Sequence, residues 1–361
     1  MNDRFAPVFI RLLLLLIPIC LGLAHFHFPP VWVFLAGIGA IIPLSEYIRL
    51  GTEEASHKLG STIGGLLNVT FGNAPELIIA IFILRAGAVD VVKGQITGAF
   101  IGNGLLGLGL AVLAGSWGRD KQTFKKESAS MLAGMLVLCV IALLLPAMFD
   151  HTVRQGAHAA EFRGRDDRLS LAVSGVLILM YVANLVYTLY THRDIFAVDE
   201  TGDSEGKGWS LPVALGVLLG AASLTALVAE SISGALEATA HDLHIAPYFL
   251  GIVVLAVVGN IPEKASAIYF ARHDRMDLVL TITIGSTIQI ALLVAPLLVF
   301  LSHAIGHPMD LVFSSPLEML SFVAVALVVN SISRDGESTW FEGVLLVGVY
   351  LLLALAFFFV G

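Results

Sequence analysis

Apolar runs of about 20 residues recur along the whole chain, a length that matches the thickness of a bilayer's hydrocarbon core. Eleven runs can be traced, centred near residues 18, 40, 72, 105, 138, 180, 222, 257, 290, 324 and 350. Inside hydrocarbon every backbone N–H and C=O must find a partner within the protein, so such runs fold as helices. The sequence therefore predicts an all-α polytopic membrane protein with eleven transmembrane helices. Composition agrees, since 57% of the 361 residues are hydrophobic and only 13% are charged, far from the mix of a soluble domain.

Several function classes fall away at once. A formal net charge of -8 offers no basic surface for nucleic acid. No GxxxxGK[ST] or HExxH pattern is present, so nucleotide hydrolysis and zinc proteolysis lack support. The two cysteines, Cys20 and Cys139, both sit inside apolar runs and suggest neither a disulfide framework nor a metal site. Arg4 and Arg11 precede the first run, but no small-x-small cleavage site follows, so it reads as a retained helix rather than a signal peptide.

Lysine and arginine placement sets an orientation. With the N-terminus cytoplasmic, 13 of the 20 basic residues fall on the cytoplasmic side and 6 outside, while Lys264 lies within a span. Four of the six exceptions, Arg154, Arg163, Arg165 and Arg168, crowd one outer loop together with Asp150, Glu161, Asp166 and Asp167. The bias favours a cytoplasmic N-terminus.

Two of the apolar runs are interrupted in the same way: "FGNAPELIIA" begins at Phe71 and "VGNIPEKASAI" at Val258. Gly72 and Gly259 differ by 187, and the offset holds beyond the motif, pairing Asn73 with Asn260, Pro75 with Pro262, Glu76 with Glu263, Arg85 with Arg272, Asp90 with Asp277 and Gly98 with Gly285. Over residues 72–110, 14 of 39 ungapped positions are identical, against roughly three or four from composition alone. This is an internal duplication. An odd number of crossings separates the copies, so the second runs through the membrane in the opposite sense, an arrangement that places a transport site at the midplane between repeats.

Proline lacks an N–H and its ring pushes away the carbonyl four residues earlier. Pro75 is therefore expected to free the carbonyl of Phe71, and Pro262 that of Val258. Broken backbone at membrane depth persists only where it is buried in protein or lines a wet cavity. Asn73 and Asn260 add amide oxygens beside the breaks, and Glu76 and Glu263 add carboxylates. Oxygen donors without sulfur or imidazole suit a hard cation, and Ca2+ takes six to eight of them. A kink with a snorkelling acid would explain one such motif, but a charge at midplane costs at least ~2.5 kcal/mol and here would need a reason twice.

With these residues in hand, the chain resembles the Ca2+/H+ exchangers of the calcium/cation antiporter superfamily. The resemblance runs nearly end to end, through "TIGGLLNVTFGNAPELIIAIF", "LGIVVLAVVGNIPEKASAI", "MDLVLTITIGSTIQIAL" and "NSISRDGESTWFEGVLL". It implies a lone first helix (1–29), a five-helix repeat (30–192), a short acidic cytoplasmic linker (193–209) and a second, inverted five-helix repeat (210–361). It also implies that Glu76 and Glu263 are shared between Ca2+ and protons, with Asn73 and Asn260 beside them. Asn103 would join from one following helix, and Ser286, Thr287 and Gln289 from the other.

Two departures from the family pattern stand out. Where the first repeat usually has Ser-x-x-Ser-Asn, this chain has Ala99, Gly102 and Asn103, so two hydroxyls are missing and ion choice is open. After the second glutamate the family usually has His, and here it is Lys264, read as facing a carboxylate such as Glu230 or Glu237 or as tuning the coupling. Glu46 and Glu230, in the second and seventh spans, are candidates to line the two approaches to the site.

The reading is a secondary active antiporter in which protons and Ca2+ compete for the same carboxylate oxygens while the site faces each side in turn. It is not an enzyme and uses no cofactor, Ca2+ being cargo. Its partners are Ca2+, H+ and the lipid bilayer, and its place is a prokaryotic inner membrane. Exchange of Na+ for Ca2+, or another cation/proton pair, is the near alternative and a passive cation channel the remote one. Nothing in the sequence speaks to oligomeric state.

Overall fold

A computed structural model describes residues 10–154, 165–188, 208–313 and 315–360. Twelve helices are named here in chain order: α1 (Leu16–His25), α2 (Pro30–Phe71), α3 (Ala74–Arg85), α4 (Val89–Gly115), α5 (Lys126–Arg154) and α6 (Arg165–Val186). They continue as α7 (Leu211–Leu243), α8 (Pro247–Gly259), α9 (Ile261–Arg272), α10 (Met276–Ile305), α11 (Pro316–Ile332) and α12 (Trp340–Val360). Among the described residues seven helices are long and apolar enough to cross a membrane, or eight if α8 and α9, bent by 53° at the break between them, count as one span. Ile10–His25 and Pro316–Ile332 are apolar but shorter.

Helix runs from the second expected span through residues 50–59, and the path goes on toward the third. The path folds back at Gly60, whose φ of 80° and ψ of 169° lie where a Cβ is disfavoured. The hydroxyl of Ser56 then donates to the Gly64 carbonyl at 2.8 Å.

The duplicated sequence yields duplicated local structure. α3 and α9 each have 12 residues and begin at positions 187 apart, behind Asn73 (φ -104°, ψ 19°) and Asn260 (φ -99°, ψ 14°). Pro75 and Pro262 occupy the first turn of these helices, where a missing N–H removes no intrahelical bond. α4 and α10 also start 187 apart, and each widens to a π-helical segment, Gly102–Gly107 in one and Ile290–Val294 in the other. Such bulges free carbonyls and re-aim side chains, and they concentrate at functional sites.

Cross-connections define two ends of the bundle. At one, Lys93 pairs with Asp310 at 2.6 Å and donates to the Val312 carbonyl at 3.1 Å. At the other, a two-residue antiparallel bridge joins β1 (Gln122–Thr123) to β2 (Glu337–Ser338). There Arg119 and Gln122 donate to the Ala271 carbonyl, Arg119 also reaches that of Arg272, and Asp277 accepts the Lys125 N–H. Residues 116–125, 271–277 and 336–338 therefore share one face, and residues 93 and 310–312 the other. Cys20 and Cys139 are free and buried. Most of the acidic linker and of the Arg-rich loop near 163 lies outside the described residues.

Candidate ion-binding site

Both helix breaks converge on the bundle interior between α4 and α10. At a helix start, Asn followed three residues later by Glu is the spacing of a reciprocal cap. Neither break uses it so: no side-chain cap bond forms at Asn73 or Asn260. The Asn73 amide instead crosses to α10 and donates to Gln289 Oε1 at 2.7 Å, while the Asn260 amide donates back to the Ala256 carbonyl at 2.9 Å. The carboxylates are left for other work, each at the positive end of a short helix, where negative charge is favoured.

Asn103, on the π segment of α4, is the hub. Its amide nitrogen lies 2.9 Å from Asn260 Oδ1, 2.9 Å from Ser286 Oγ and 3.3 Å from Glu263 Oε2, and its oxygen accepts from Lys264 Nζ at 2.9 Å. Ser286 also donates to Glu263 Oε2 at 2.8 Å. Thus Asn103, Asn260, Glu263, Lys264 and Ser286 form one connected set drawn from α4, α9, α10 and the second break.

Glu76 sits differently. It is buried, and its carboxylate lies against Gly259, where an added Cβ would stand 3.2 Å from Oε1. Gln95 Nε2 donates to the Glu76 backbone carbonyl at 3.2 Å. Three buried acceptor oxygens around this point, Asn73 Oδ1, Glu76 Oε2 and Gln95 Oε1, have no hydrogen-bond partner. Unpaired acceptors of this kind call for protons, water or a cation. A cavity of about 10 Å³ beside Glu76, lined by Gln95, Ala99 and Ile290 among others, has room for about one water.

The geometry revises several expectations. The Val258 carbonyl accepts a backbone N–H in the turn at Asn260, so Pro262 does not leave it free. Thr287 Oγ1 donates to the Thr283 carbonyl at 2.7 Å, one of the local helix bonds open to threonine, and Thr287 is not in the hydrogen-bonded set. Phe71 and Gly72 lie at the more open first break, part-buried and exposed, whereas Val258, Gly259 and Asn260 are buried. Lys264 pairs with Asn103 rather than with Glu230 or Glu237, both of which are exposed on α7. Glu46 is held by Arg49 at 2.8 and 2.9 Å, and Arg49 also binds Glu53 at 2.7 Å, so Glu46 belongs to a local helix-surface network. Gln95 was not singled out from sequence, although a glutamine inside an apolar run is a visible signal. Among the described residues no group of three or more His, Cys, Asp or Glu gathers, and the donor set consists of two carboxylates with amides and a hydroxyl.

Comparison with known proteins agrees with this architecture. The model of the sodium/calcium exchanger protein family matches residues 29–190 and 213–359. The chain is 40% identical to a Ca2+/H+ antiporter of Aphanothece halophytica over 96% of this chain and 95% of that protein. It is 37% identical to the Ca2+/H+ antiporter ChaA of Bacillus subtilis over 92% and 93%. Among solved structures, native YfkE superposes with a TM-score of 0.81 at 33% identity, covering 96% of this chain and 99% of that one. The H+/Ca2+ exchanger CAX shares the fold at a TM-score of 0.70 and 16% identity, over 99% and 93%.

Proposed function

Because the chain belongs to the sodium/calcium exchanger protein family, we propose that it is a secondary active antiporter that exchanges Ca2+ for H+ across a membrane. Its curated relatives are transporters rather than enzymes. The observation that carries the reading is the pair of buried glutamates at duplicated helix breaks, one beside partnerless acceptor oxygens and the other inside an amide and hydroxyl network.

Ca2+ is cargo, held by oxygens of Glu76 and Glu263 with Asn73, Asn260 and neighbouring amides completing the shell. Without the ion, burial favours the neutral acid; with it, the ionised form. Protons and Ca2+ thus compete for the same oxygens, and the competition is the coupling. The two units, five crossings apart, are inverted copies in an eleven-span chain, and the site faces one side and then the other as they move. With a cytoplasmic N-terminus, residues 116–125 and 271–277 face the cytoplasm and protons moving inward drive Ca2+ out.

Uptake of 45Ca into reconstituted vesicles, under an imposed pH gradient and separately under a Na+ gradient at clamped voltage, tests the reading. Uptake driven by the pH gradient alone is expected. Uptake driven only by Na+ makes the protein a Na+/Ca2+ exchanger, and flux without counter-transport makes it a channel.

A further inference from the structure

Among the described residues Lys264 is the only lysine or arginine in the buried interior, with 6% of its surface exposed. Its side chain lies in a slot made by two glycines of the α4 π segment. A Cβ on Gly107 would stand 3.4 Å from Lys264 Cγ, and one on Gly102 would stand 3.8 Å from Nζ and 4.0 Å from Cε. The stem therefore runs past Gly107 and the ammonium ends beside Gly102, donating to Asn103 Oδ1 at 2.9 Å. Through Asn103 it is linked to Glu263, whose Oε2 lies 3.3 Å from the nitrogen of the same amide.

Two departures noted separately in the sequence are thus one feature in space. The hydroxyl missing at Gly102 and the extra amine at Lys264 meet at Asn103. A serine side chain at 102 would narrow the slot, and a short residue at 264 would leave it unfilled. An ammonium is a compact point charge with three donors and no acceptor. It bonds the Asn103 oxygen, which is then engaged by a charge where an alkali metal ion would seek a ligand.

We infer that Lys264 is a tethered cation that holds the monovalent position of the site and so excludes Na+ and K+ from it. The inference rests on the proposed Ca2+/H+ exchange and specifies which ions cannot share the site. Two carboxylates with one fixed positive charge carry a single net negative charge. The fixed charge halves the net attraction for any metal ion; Ca2+, with two charges, keeps as much as a monovalent ion would gain from two bare carboxylates, while the monovalent ion keeps half of that. The departure at position 264 then makes the site indifferent to alkali cations.

The test is equilibrium 45Ca binding to the full chain in detergent at fixed pH, with Na+ replacing N-methylglucamine at constant ionic strength. No gradient is involved, so this measurement fails or succeeds independently of the flux assay. The parent protein is expected to bind Ca2+ with an apparent Kd that changes less than about twofold across the Na+ titration. The double variant Lys264→Gln with Gly102→Ser, which restores a hydroxyl in place of the charge, is expected to lose Ca2+ affinity by about fivefold or more in Na+, close to 1 kcal/mol. Lys264→Met serves where the double variant does not fold, and if neither folds the parent arm decides. Competition by Na+ for the parent's Ca2+ site overturns the inference, as does a folded neutral variant that stays indifferent to Na+.

Discussion

The carboxylate of Glu76, from the first motif, rests against the backbone of Gly259, from the second. A methyl group at 259 would come 3.2 Å from Oε1, a tight approach to which the carboxylate would have to give way, and 3.5 Å from Cδ, an ordinary contact. The glycine of one repeat thus makes room for the acid of the other. Glu76→Gln and Glu263→Gln keep the shape of each side chain and remove its charge and proton capacity. Each is expected to abolish proton-driven Ca2+ flux while the protein stays folded and inserted, since Glu263→Gln retains an oxygen that can accept from Ser286. Near-normal flux from either variant would remove that residue from the exchange site.

Charge at Lys264 bears on divalent affinity as well as on selectivity. A fixed positive charge near the carboxylates repels Ca2+ and protons alike. Lys264→Gln, which can still donate to Asn103, is expected to raise apparent Ca2+ affinity several-fold and to move the pH optimum of exchange upward, because protons then reach the carboxylates against less repulsion. Flux measured against external Ca2+ at a series of pH values reads both. An unchanged affinity with an unchanged pH profile would show that the ammonium acts on neither ion.

The breaks, the offset of 187 and the residues at the breaks were legible because proline and glycine act locally and a duplication needs no tertiary knowledge. The partner of Lys264 was not. A lysine placed 100° round the helix from Glu263 faces a neighbouring helix, but only the fold shows that this neighbour presents Asn103 and two glycines. Glu46 was open to a better reading, because Arg49 and Glu53 follow it at the spacing of neighbours on one helix face. The Val258 carbonyl was misjudged for a different reason: a turn can supply an N–H to an oxygen that proline has denied its helical partner. Residues 50–59 are polar, yet helix persists there until Gly60 turns the chain.

Side-specific labelling checks the handedness of the halves. Lys121 and Asp274 are exposed and lie on the face tied together by Arg119, Gln122 and the β1–β2 bridge. Cysteines placed at these two positions are expected to react with an impermeant thiol reagent from the cytoplasm, and one placed at Arg165 from the opposite side. The native Cys20 and Cys139 are buried and should contribute little background. Labelling of positions 121 and 165 from the same face would refute the eleven-span path.

Gly98 and Gly285 are repeat mates with opposite surroundings. A Cβ on Gly98 would run into the carbonyl of Ile252 and stand 2.7 Å from the Ala256 methyl, because α8 packs its backbone directly on α4. Small residues allow such close approach of helices in a membrane, where packing and hydrogen bonds hold them together. A Cβ on Gly285 would meet nothing within 4 Å. Gly98→Ala is therefore expected to push α8 from α4 and to destabilise the protein by about 1–3 kcal/mol, the usual range for overpacking. Gly285→Ala is expected to be neutral or slightly stabilising, since alanine gains roughly 0.5–1 kcal/mol over glycine inside a helix. Thermal unfolding of both variants in detergent decides. Equal losses at the two positions would mean that α8 and the 61–71 segment of α2 pack alike on their partners, which the exposed Ile63 (57%) beside its buried mate Leu250 (3%) argues against.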